Sequence, residues 1–93
     1  MTTQNYLAFV VTEDMIKAGL KGNELIVYAY IEYKSYNVYN AYLGGINQMC
    51  RDLRISEPTG INIVKKLVKG GFIKKRFYTD DNNIKYCSLS IPK

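Results

Sequence analysis

Two short helical patterns separated by Arg54-Ile55-Ser56 feed directly into a basic β-hairpin, and this order predicts an α+β fold. The type is a winged helix-turn-helix: a three-helix core, a C-terminal β-hairpin wing, and an N-terminal strand plus short helix. The second helix supports it independently. Gly60, Ile63, Val64 and Leu67 recur at helical spacing as one apolar stripe, and Pro58, Asn62, Lys65 and Lys69 form the opposite one. At 93 residues the chain is long enough for one core, so a single domain over residues 1–93 is expected.

The elements follow in order. Tyr6 to Val11 is rich in aromatic and β-branched residues and reads as a strand. Thr12 caps a short helix whose first turn holds Glu13 and Asp14, and Gly19 with Leu20 stops it. Gly22 to about Tyr36 is the next helix, apolar almost all round. Val27, Tyr28 and Ile31 make one stripe, Ile26, Tyr30 and Tyr33 another. The tyrosine-rich loop 36–42 ends in a possible one-bridge strand at Tyr42-Leu43, broken by Gly44-Gly45. The helix Ile46 to Leu53 buries Met49, Cys50 and Leu53 and leaves Asn47, Gln48 and Arg51 outside. Ser56 caps the next helix, Pro58 sits in its first turn where no donor is needed, and Gly70-Gly71 ends it. Phe72 to Tyr78 and Ile84 to Ile91 are strands joined by the Asp- and Asn-rich turn 79–83. In the second strand Cys87, Leu89 and Ile91 point inward and Tyr86, Ser88 and Ser90 outward.

Charge is distributed unevenly. From Lys65 to Lys93 eight Lys or Arg face Asp80 and Asp81, a net of +6, whereas residues 1–64 carry a net of −1. The asymmetry favours a localised footprint for a polyanion over a diffuse solubilising charge. Cys50 and Cys87 have no CxxC companion, so they read as small core residues of a reducing compartment. No apolar run approaches the roughly 18 residues that a membrane span needs. A cytoplasmic protein, associated with the nucleoid or a replication origin and without a membrane partner, is expected.

From Leu43 to Tyr86 the chain resembles the winged helix domains at the N-termini of plasmid and phage replication initiators. The resemblance is carried by the helix ending Cys50-Arg51-Asp52-Leu53, the turn to Ser56, Thr59, Leu67, and Lys69-Gly70-Gly71-Phe72-Ile73-Lys74-Lys75 leading into the wing. Leu20 to Ile31 is similar to the first core helix of that group. The resemblance implies double-stranded DNA binding in replication initiation of a mobile element. The chain departs from the pattern at the start of the recognition helix, where Glu57 and Pro58 replace the usual basic residues, and at Arg54, where a turn glycine is common.

DNA binding needs cations for phosphates and amides or planar groups for base edges. Lys65, Lys66 and Lys69 supply cations on the recognition helix, and Lys74, Lys75, Arg76 and Lys85 on the wing, with strand alternation deciding which face out. Asn62 is the best base reader, since an outward amide pairs bidentately with adenine; a simple solvated residue is the equal alternative. Gln48 and Arg51, with Ser56 and Thr59 at the cap, are candidate phosphate contacts, although a Ser cap is as often structural. An enzyme is not expected. The chain has no His, its acidic pairs Asp80-Asp81 and Glu13-Asp14 look like turn and cap chemistry, and Gly44-Gly45 lacks a Walker lysine. No catalytic residue, metal, cofactor or small-molecule substrate is assigned.

Three readings of function remain: a duplex-binding module, a transcriptional regulator of the same fold, and a protein-interaction winged helix. The charge asymmetry favours DNA; Glu57, Pro58 and Ile61 favour a protein partner. The nine tyrosines also invite stacking on single strands. Core packing explains Tyr28, Tyr30 and Tyr33 better, and partner contact is placed ahead of stacking for the loop tyrosines. A symmetric homodimer is expected through Ile26, Tyr30 and Tyr33 or the neighbouring Tyr36 and Tyr39. The alternative is that the N-terminal strand and short helix cover that stripe within one chain.

Overall fold

The computed structural model of the chain describes residues 10–92. Over these residues it is a small α+β domain with four helices and a two-stranded antiparallel hairpin. The order is α1 (Glu13–Lys17), α2 (Asn23–Lys34), α3 (Ile46–Leu53), α4 (Glu57–Lys69), β1 (Lys74–Thr79) and β2 (Lys85–Ser90). The expected strand Tyr6 to Val11 lies outside the described residues apart from Val10 and Val11, which are exposed and not in a strand.

Local chemistry accounts for the boundaries. The Thr12 hydroxyl accepts the Met15 amide and starts α1, and Gly19 at φ 96° lets the Leu20 amide reach back to the Met15 carbonyl. Helix α2 stops at Lys34, two residues short of the expected Tyr36, because the Ser35 hydroxyl donates to the Ile31 carbonyl at 2.6 Å and turns the chain. After α3 the Ile55 amide bonds the Cys50 carbonyl, which requires Arg54 to adopt a left-handed conformation at φ 57°. A non-glycine residue there costs about 1 to 2 kcal/mol, and glycine returns about 0.5 to 1 of that as unfolded-state entropy. Arg54→Gly is therefore expected to stabilise the domain by about 0.5 to 1 kcal/mol in urea unfolding.

Helices α2, α3 and α4 pack on one another, and β2 packs against α2. Their common core contains Val27, Tyr30 and Ile31 from α2, Met49 from α3, Val64 and Leu67 from α4, and Ile73 and Leu89 from the hairpin segment. Gly60 lies where α4 meets α3, and a Cβ there would collide with the Cys50 sulfur. Cys50 and Cys87 are free thiols, one buried and one half-buried, and burial pushes both toward the protonated form.

The hairpin pairs Lys74 with Ser90 through Thr79 with Lys85. Tyr42 adds an isolated antiparallel bridge to Leu89, with bonds of 2.7 and 3.0 Å. This bridge corrects one expectation. Alternation places Ser88 on the solvent side, yet it is buried next to the residue that Tyr42 pairs with, in a groove it lines together with Ala41 and Leu43.

Candidate nucleic-acid interface

Helix α4 begins at Ser56, whose hydroxyl accepts the Thr59 amide and donates to the Thr59 hydroxyl at 2.8 Å. Both side chains are exposed and occupied with capping. One turn on, the inner face is taken by Gly60, Val64 and Leu67, so helical geometry turns Pro58, Asn62, Lys65 and Lys69 outward. Asn62, Lys65 and Lys69 have no side-chain partner among the described residues. Lys66 differs from its neighbours. Its ammonium pairs with Glu24 of α2 at 2.7 Å, holding that carboxyl below its ordinary value.

On α3, Gln48 and Arg51 are exposed and tied together. Arg51 Nη2 donates to Gln48 Oε1 at 2.9 Å, and Gln48 Nε2 donates to Asp52 Oδ1 at 2.9 Å. Asp52 Oδ2 accepts the Tyr30 hydroxyl at 2.6 Å, so a hydrogen-bonded chain runs from the core to the surface guanidinium. The donated bond from Tyr30, followed by that from Gln48, lowers the Asp52 carboxyl, and burial, followed by the same contact, raises the Tyr30 hydroxyl well above its ordinary value.

The hairpin cations divide by strand alternation. Directly paired residues share a face, so Lys75 lies on the Leu89 side, which meets the helices, with Phe77 and Lys85. The Lys75 ammonium sits 5.3 Å from the Phe77 ring centre. Lys74 and Arg76 lie on the opposite, outer face with the stacked rings of Tyr78 and Tyr86, 5.6 Å apart. At the tip, Asp80 accepts the Asn82 and Ile84 amides and the Tyr86 hydroxyl, which lowers its carboxyl, the Ile84 bond contributing most.

The proposed pairing stripe does not stay together. Ile26 and Tyr33 are partly exposed, but Tyr30 is fully buried, its ring edge-on to Tyr42 at 5.3 Å. Tyr30 is thus a core residue and is removed from any contact surface, because the hydroxyl it brings inside is matched by Asp52. Tyr36 and Tyr39 are exposed in the loop beside the outer sheet face rather than on α2.

Two features escaped the sequence reading. The Gln48–Asp52 and Gln48–Arg51 contacts follow from i,i+4 and i,i+3 spacing and were legible in principle. The Tyr78–Tyr86 stack needed the register, which places the two residues opposite each other. Among the described residues no group of three or more His, Cys, Asp or Glu is placed to hold a metal ion, and no helix is long and apolar enough to cross a membrane. No protein-family model matches the sequence, and no curated protein or solved structure matches it either.

Proposed function

We propose that this chain is a winged helix domain that binds double-stranded DNA, with α4 in the major groove and the β1–β2 hairpin as the wing. The observation that carries the reading is the outer stripe of α4: an amide and two ammoniums, exposed and, among the described residues, unpartnered, on a helix braced from behind by α3. The sequence resemblance extends the reading to origin recognition by a plasmid or phage replication initiator. Asn62 reads a base edge; Lys65 and Lys69, with Lys75 and Lys85 on the helix-side face of the wing, neutralise phosphates. Arg51 joins them, its guanidinium already oriented by Gln48.

With about four to six phosphate contacts, the log–log dependence of affinity on salt is expected to have a slope of about −3.6 to −5.4. Lys65→Glu with Lys69→Glu should flatten that slope and weaken binding to every sequence, while Asn62→Ala should lose affinity only on the preferred site. Affinity that is flat between low and moderate salt would sink the DNA reading.

The exposed Glu57 and Ile61 at the start of α4 favour a second reading, a protein partner docked on this helix. In that case Ile61→Ala, rather than the lysine changes, abolishes the interaction.

A further inference from the structure

The outer face of the hairpin carries chemistry that duplex binding through α4 does not use. Two grooves run along it, one of about 370 Å³ lined by Tyr36, Asn40, Lys74 and Arg76 among others, the other of about 470 Å³ lined by Tyr39, Leu43, Arg76 and Tyr78 among others. Arg76 lines both, so the two grooves share one guanidinium. Tyr36 and Tyr39 are 82% and 71% exposed, which leaves their rings open to a planar ligand. Tyr78 is stacked on Tyr86, whose hydroxyl is held by Asp80 at 3.0 Å, so that platform is fixed before anything binds.

We propose that this face binds an unpaired nucleic-acid strand, with bases stacking on Tyr36, Tyr39 and Tyr78 and phosphates meeting Lys74 and Arg76. Charge complementarity selects this occupant. Among the described residues two cations line the grooves against one carboxylate, Glu32, and the Asp80 carboxylate is consumed by the turn. Cations interleaved with open aromatic rings suit a strand whose bases are free to stack; a paired duplex hides its base faces. The site is independent of Asn62, Lys65 and Lys69, and its occupant differs from the duplex of the preceding reading.

The test is fluorescence anisotropy of the full chain with a short labelled oligothymidylate, an oligouridylate and a duplex. Saturable binding of either oligomer is expected, with the tighter one identifying DNA or RNA as the strand. Tyr36→Ala and Tyr39→Ala change exposed loop rings only, and each should weaken oligomer binding about fivefold to a hundredfold without altering duplex affinity. Lys65→Glu with Lys69→Glu should do the reverse. Failure of both oligomers to bind, or binding that survives loss of both loop tyrosines, overturns the proposal. Competition by inorganic polyphosphate as strong as by unlabelled oligomer would also overturn it, because stacking would then contribute nothing. Loss of duplex binding alone would remove the preceding reading and leave this one standing.

Discussion

Tyr30→Ala is expected to cost about 3 to 5 kcal/mol of unfolding free energy, enough to leave so small a domain largely unfolded. The ring is fully buried against Tyr42, and its removal also deletes the short hydrogen bond that its hydroxyl donates to the Asp52 carboxylate on α3. Tyr30→Phe separates the two contributions. It keeps the ring and removes a hydrogen bond to a charged acceptor, about 1.5 kcal/mol, the low end of the range because water reaches the half-exposed carboxylate. Tyr33→Glu, two-fifths exposed on the same helix, should cost less than 1 kcal/mol. The pH dependence has a definite sign. The folded Asp52 carboxyl titrates below its unfolded value, so its stabilisation is full above about pH 4 and disappears as pH falls through the lowered value. Urea titrations between neutral and acid pH should show this acid limb in the wild type and its reduction in Asp52→Asn. Equal stability of Tyr30→Ala and Tyr33→Glu would show that the network holds nothing.

Gly60→Val is expected to cost about 3 kcal/mol. A Cβ alone already collides with the Cys50 sulfur, and two further methyl groups must push α4 away from α3. The helix-propensity gain over glycine is only about 0.5 kcal/mol and cannot compensate. Gly60→Ala paired with Cys50→Ala makes the argument specific, because removing the sulfur opens the volume that the new methyl needs. The double variant should be more stable than the sum of the single changes by about 1 kcal/mol or more. Additive effects in a double-mutant cycle would mean that the collision is not the cause. The same contact sets the angle at which α4 is presented, so Gly60→Val should weaken any ligand of the α4 outer stripe even where the domain remains folded.

How much of this was legible beforehand depends on whether the signal is local. The sequence alone determined the helix pair and its turn, the capping by Thr12 and Ser56, and the outward stripe Asn62, Lys65 and Lys69. Each follows from helical period or from a side chain bonding its own backbone within a few residues. Tertiary structure alone decided the fate of Tyr30. Helical spacing put it on a second apolar stripe, but the carboxylate that makes its burial favourable lies 22 positions away on α3. The same holds for Ser88, buried beside a bridge on the neighbouring residue, and for Lys66, whose ammonium is paired with Glu24 of α2. The hairpin cations lie between these cases. Alternation foretold that Lys74 and Arg76 would part from Lys75, but which face met the helices was set by Leu89 and Ile73 entering the core. Periodicity reports which residues share a side; only packing reports what that side meets.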